Sequence, residues 1–169
     1  MPRRLEKVNP KILALQANLA SIRFIANWTA EELGTKIGVT KQTISNIENS
    51  NGKANLMNAT QYIALRAVID NEIIKTDNPI LRETMNYLFN NMKKEKELMK
   101  LRDFKDDKVT QLAKASKASY IAENKTKGQL SELEKRAYAI LTVIPLIQSI
   151  LGPINTIYKT FSFVEDISD

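Results

Sequence analysis

The sequence has no cysteine and no histidine. Without cysteine there is no disulfide and no thiolate metal site, which fits a reducing cytosol. Without histidine, the commonest zinc ligand and the usual general base near neutral pH are both missing. Catalysis would have to rest on carboxylates, lysines or hydroxyls. The chain shows no constellation of them and no Ser-Lys pair of the self-cleaving kind, so it reads as a non-enzyme with no metal site and no cofactor. Glycine and proline are scarce, five of each among 169 residues, and turn-rich β folds need more of both. The expected fold class is therefore all-α. The first residues lack the apolar run of a signal peptide, so a cytoplasmic location is expected.

Acidic charge is also in deficit, and unevenly so. The net charge is +6. Residues 1–76 carry ten Lys/Arg against six Asp/Glu, residues 77–128 twelve against eight, and residues 129–169 three against five. A basic front section suits a polyanionic partner. The same boundaries divide the chain into an N-terminal binding domain (1–76), a charged helical connector (77–128) and an apolar helical C-terminal region (129–169).

The most informative stretch is AEELGTKIGVTKQTISNIEN, residues 30–49. Thr29 is placed to cap a helix, with Glu32 three residues later completing a capping box. Gly38 is placed to end that helix, because glycine reaches positive φ without steric cost. Thr40 is placed to cap the next. Leu33 and Ile37 share one face of the first helix, and Ile44 and Ile47 one face of the second. Gly34 has no side chain where the two helices would cross. The pattern predicts a two-helix corner with a short turn. The outward face of its second helix carries Lys41, Gln42, Thr43, Ser45, Asn46 and Asn49. Gln and Asn offer a donor and an acceptor together, which suits adenine, and Lys donates to guanine or phosphate. The bland alternative is a solvated polar face on a structural hairpin.

The segment WTAEELGTKIGVTKQTISNIENSNGK, within about residues 19–64, resembles the Cro/phage-repressor helix-turn-helix family, also called the XRE family. The wording G-V-T-x-x-x-I-S-x-I-E-N carries the resemblance. It implies a compact bundle of about five helices that binds operator DNA as a dimer. By the resemblance, Lys41, Gln42 and Asn46 fall where the family reads base edges. Thr40, Thr43, Ser45, Asn51 and Lys53 fall where it touches the DNA backbone. Arg23 and Glu48 occupy the places where some members form a buried ion pair. Two departures stand out. Ala30 replaces the usual Gln after the Thr cap, which removes one expected phosphate contact, and Ser50-Asn51-Gly52 lengthens the following loop.

Around this segment, Ile12, Leu15, Leu19, Ile22 and Ile25 recur at helical spacing and predict a first helix over Pro10–Ala26, with Trp28 as a core anchor. Arg3, Arg4 and Lys7 form a short basic arm. Leu56, Ala59, Ile63, Ala67 and Ile74 predict a helix that closes the bundle. Pro79 opens another, with the stripe Leu81, Met85, Leu88 and Met92. A mixed-charge run over 93–108 and an Ala-rich, basic helix up to Gly128 follow. Ser131 and Glu134 form a further capping box.

From Ala137 to Tyr158 there are 22 residues without a charge, and a membrane span needs about 20 apolar residues. Pro145, Gly152-Pro153, Gln148 and Asn155 argue against a span. A buried core or a subunit interface is the preferred reading, with Ile140, Leu141, Ile144, Ile147, Ile150 and Leu151 as the oligomerisation face. Pro145 is expected to kink or break that helix.

The functional expectation is a sequence-specific DNA-binding transcriptional regulator, a repressor of phage or mobile-element type acting as a dimer or tetramer on double-stranded operator DNA. The alternatives are a membrane-tethered regulator and an antitoxin-like adaptor with a DNA-binding front module. A protein antirepressor or peptide inducer is left open.

Overall fold

Asn9 begins the first helix. Its side chain accepts from the Lys11 N–H at 2.9 Å, and Pro10 follows as the first helical residue, where its missing N–H costs nothing. The computed structural model describes residues 9–50, 55–90, 105–126 and 144–152. The basic arm Arg3, Arg4 and Lys7, the run 93–104 with Met92 before it, and the box at Ser131 and Glu134 lie outside the described residues.

Among the described residues there are seven helices and no strand: α1 (Pro10–Ile25), α2 (Ala30–Ile37), α3 (Lys41–Asn49), α4 (Ala59–Thr76), α5 (Pro79–Asn90), α6 (Asp107–Thr126) and α7 (Ile144–Leu151). The chain is all-α as its composition predicts.

The centre of the fold is α1. Its stripe of Ile12, Leu15, Leu19, Ile22 and Ile25 is buried, and so are Leu13, Ala14, Ala17, Asn18 and Ser21 off that stripe. One apolar face would explain the first set only. The second is covered because α3, α4, α5 and α6 all pack against α1. The Asn18 side chain ties this arrangement together. It donates to Ala14 O at 2.9 Å and accepts from the Asp106 N–H at 2.9 Å, just before α6 begins. Asp106 in turn caps α6 by accepting from the Lys108 N–H at 2.8 Å. Burying Leu15, Leu19 and Ile22 contributes roughly 1.5–3 kcal/mol each.

Helix α4 departs from the sequence expectation. Its buried face is Tyr62, Leu65, Arg66, Ile69, Asp70 and Ile73, whereas Ile74 is 56% exposed and Ala59 is exposed. Ile63 and Ala67 are only partly buried, packed against the core. Two apolar stripes run along this helix, and the one that turns inward brings a charged pair with it. Arg66 and Asp70, one turn apart, face each other at 3.9 Å and are almost fully buried. The Arg66 guanidinium also lies 4.3 Å from the Phe89 ring centre on α5 and donates to the Tyr62 hydroxyl at 3.3 Å. The start of α4 is set by a capping box. Asn58 Oδ1 accepts from the Gln61 N–H at 2.8 Å, and Gln61 Oε1 accepts from the Asn58 N–H at 3.1 Å.

Asp77 ends α4 in the left-handed region with φ 50°. Asn78 caps α5, accepting from the Leu81 N–H at 3.0 Å while donating to Ile25 O at the end of α1. Leu81, Met85 and Leu88 are buried along α5. In α7, Pro145 is the second residue. It sits in the first turn, where a missing N–H is tolerated, and the described helix runs on from it unbroken. Gly152 closes the helix with φ 87°, and its N–H donates to Gln148 O at 2.8 Å. The helix packs against α5 and α6, and Ile147 is fully buried in the chain's own core. Ile150 and Leu151 are partly buried against that core. Ile140, Leu141 and the side chain of Ile144 lie outside the described residues. Among the described residues no helix is long and apolar enough to cross a membrane.

Candidate nucleic-acid interface

The corner between α2 and α3 is built by three local rules. At its start, Thr29 Oγ1 accepts from the Glu32 N–H at 3.1 Å and the Glu32 carboxylate accepts from the Thr29 N–H at 2.6 Å. These bonds, the backbone one first, hold the Glu32 carboxyl below its usual range, with Lys36 adding to the effect. At the turn, Gly38 takes φ 73° and its N–H donates back to Thr35 O. Where the helices cross, a Cβ on Gly34 would stand 2.7 Å from Val39 O. A hydrogen is the largest group that fits there.

Thr40 then caps α3. Its hydroxyl accepts from the Thr43 N–H at 3.2 Å and lies 3.0 Å from the Thr43 hydroxyl. Ile44 and Ile47 are buried under the helix. Lys41, Gln42, Asn46 and Asn49 are exposed on the opposite side, and Thr43 and Ser45 are half-buried at its flanks. Gln42 Nε2 donates to Asn46 Oδ1 at 2.9 Å, so the two amides one turn apart are joined on the outer face. The Gln42 carbonyl oxygen and the Asn46 NH2 stay available to a partner outside the chain. No acidic residue stands in the first turn of α3, so no carboxylate there offsets its positive helix end. Asn51 and Lys53 lie outside the described residues.

Two polar side chains from α1 hold α3 from beneath. Arg23 Nε donates to Glu48 Oε1 at 2.6 Å and Nη2 donates to Oε2 at 3.0 Å, while Nη1 donates to Trp28 O at 2.9 Å. Both side chains of the pair are only about 10% exposed (11% and 10%). Seven residues earlier, Gln16 is fully buried. Its NH2 donates to Ile47 O at 3.3 Å and to Asn55 O at 3.0 Å and also meets the Ser50 hydroxyl. Its carbonyl oxygen accepts from the Met57 N–H at 2.9 Å. The role of Gln16 is absent from the sequence reading, although a signal exists. It follows Ile12 by four residues and precedes Leu19 by three, which places it on the apolar stripe of α1. Trp28 is buried beside this junction, with the Lys36 ammonium 5.0 Å from its ring centre.

Residues 23–63 match the family model described as Helix-turn-helix. No curated relative and no solved structure matches the chain.

Proposed function

We propose that the chain is a sequence-specific transcriptional regulator, a reading supported by the match of residues 23–63 to the Helix-turn-helix family model. In this reading it is a repressor of phage or mobile-element type, working in the cytoplasm on double-stranded operator DNA. Helix α3 is the recognition helix. Lys41, Gln42 and Asn46 read base edges, and Thr40, Thr43, Ser45, Asn51 and Lys53 meet the DNA backbone.

The observation that carries the reading is the outer face of α3. It is polar and exposed, free of acidic side chains in its first turn, and mounted on a helix that α1 grips through Arg23 and Gln16. The joined amides of Gln42 and Asn46 offer an acceptor and a donor side by side, which is the complement of the adenine edge in the major groove.

One recognition helix makes few base contacts, so the protein is proposed to act as a dimer or higher oligomer with one module on each half-site. Ile147 serves the chain's own core. The subunit contact is therefore assigned to the other apolar residues of the 129–169 region, with Ile150 and Leu151 as its partly covered members.

Selection of duplexes from a random library tests the reading. The full chain should enrich a two-fold symmetric sequence, and binding should weaken steeply with added salt as phosphate contacts release counterions. Gln42→Ala should cost about 1–3 kcal/mol on the selected duplex and relax preference at one base position. Enrichment of no sequence, or affinity indifferent to salt, would overturn it.

A further inference from the structure

We propose that Gln16 is a positioning residue for DNA binding, one that fixes the recognition helix and the chain leaving it against α1. The proposal rests on the DNA-binding reading above.

Ile44 and Ile47 seat α3 through apolar contact alone, and such contact is non-directional. It would let the helix turn or slide by fractions of an ångström, enough to misplace side chains that must meet base edges. Hydrogen bonds are directional and remove that freedom. Helix α1 supplies them at two consecutive residues: Gln16 bonds the Ile47 carbonyl, and Arg23 bonds the Glu48 carboxylate. Gln16 and Arg23 are two turns apart on one face of α1, so the grip has two well-separated anchors.

Gln16 does more than anchor the helix. Its amide reaches Ser50 at the end of α3, then Asn55 O and Met57 N where the chain approaches α4. Asn55 itself stands in the left-handed region with φ 45°. One buried amide thus sets the spacing between the end of the recognition helix and the start of α4. A buried amide is costly unless bonded, so these partners hold one another in place. Ser50 contributes its own bond to Ile47 O at 2.8 Å. None of these atoms is on the exposed face of α3, so Gln16 acts through the position of other groups and reads no base itself.

The experiment compares full-length variants on the duplex that the wild-type protein enriches from a random library. Gln16→Met keeps the length of the side chain and removes its hydrogen bonds. Leu112→Ala, in the core on α6, is a destabilised control remote from the recognition helix. Affinity is read as a function of salt, at a temperature where all proteins are folded by circular dichroism.

The expected result is that Gln16→Met binds about tenfold more weakly and that a repeated selection returns the same sequence with its preference flattened across the positions α3 reads, at a salt slope close to that of the wild type. Leu112→Ala should match the wild type in affinity and slope. Equal affinity and equal base preference for Gln16→Met and Leu112→Ala would overturn the proposal, since Gln16 would then serve stability alone. A preference lost at one base alone, with the others intact, would also overturn it, since Gln16 would then read that base directly. If Gln16→Met does not fold, Ser50→Ala carries the test: weakened binding at unchanged melting temperature supports the proposal, and unchanged binding overturns it. A wild-type chain that enriches no duplex would instead remove the DNA-binding reading, and this inference with it.

Discussion

Arg23 presents two guanidinium nitrogens to the two carboxylate oxygens of Glu48, at 2.6 and 3.0 Å, while its third nitrogen donates to Trp28 O at 2.9 Å. This fork joins the end of α1 to the end of α3 and fastens the residue that leads into α2. The pair has little exposure, so each charge depends on the other for its compensation.

Arg23→Met should therefore strand the Glu48 carboxylate and cost about 3 kcal/mol, within the range for breaking a buried pair. A urea titration measures it. Arg23→Met combined with Glu48→Leu should recover part of the loss, because no charge is then left without a partner. A single variant as stable as the wild type would show that the pair carries no net stability.

The crossing of α2 and α3 makes a second prediction. Gly34→Ala places a methyl against the backbone at Val39 O, and backbone cannot yield as a flexible side chain can. The expected loss is about 1–3 kcal/mol. Gly38→Ala meets no neighbouring atom, yet its φ of 73° is strained for any L side chain, at about 1–2 kcal/mol. Thermal melts separate the two effects by a further readout. Gly34→Ala should also weaken DNA binding, since it changes how α3 leaves α2, whereas Gly38→Ala should lower stability with less effect on affinity.

Tyr87 gives a prediction in pH. Its phenol is pushed up to about 12 from the ordinary 10.0, first by burial, then by the Asp106 charge and by the hydrogen bond it donates to Asp106 at 3.1 Å. In the unfolded chain the phenol loses its proton near the ordinary value. Between these two pH values the unfolded state therefore binds fewer protons than the folded state, and stability falls as pH rises. The contribution is fully present below the unfolded value and is lost as pH climbs through the folded one. Tyr87→Phe has no such proton. Urea midpoints of the two proteins should keep a constant offset up to about pH 10 and converge between there and about pH 12, as the wild type loses its advantage. Parallel curves would show that Tyr87 does not keep its proton in this way.

How far these features are legible in the sequence depends on the range of the interaction behind them. Capping boxes and a left-handed glycine are decided within four residues, so Thr29, Glu32, Gly38 and Thr40 reveal α2 and α3 with their turn. The same rule at Asn58 and Gln61 starts α4 at Ala59 rather than at Leu56. Choosing between two apolar stripes on α4 needs knowledge of its neighbours. The inward stripe carries Arg66 and Asp70, which composition would send to the surface, because the two neutralise each other and Arg66 meets Phe89. Covering of the second face of α1 by α6 is equally non-local, resting on a contact such as Asn18 to Asp106 across 88 positions. The exposed polar face of α3 is legible because polarity alone marks it. The place of Gln16 on the α1 stripe marks it as buried, but its clamp is not legible, since its partners lie 31 to 41 residues away.

The apolar C-terminal residues divide between two roles, the chain's own core and the proposed subunit contact, and substitution can separate them. Ile147 is fully buried in the core shared with α5 and α6, while Ile150 and Leu151 keep part of their surface. Ile147→Ala should lower stability by about 2 kcal/mol, the low end for such a truncation because α7 is short and peripheral. It should leave the mass from light scattering unchanged. The pair Ile150→Asp and Leu151→Asp should also cost some stability, since both residues pack partly against the core, but unlike Ile147→Ala it should change the mass, because a charge there opposes burial between subunits. That protein should scatter as a smaller species and bind a full operator far more weakly than the wild type, while one half-site is bound equally well. A wild-type protein that is itself a monomer would remove the oligomer from the proposal. A loss of mass in Ile147→Ala with no change in melting temperature would show that Ile147 belongs to the subunit contact after all.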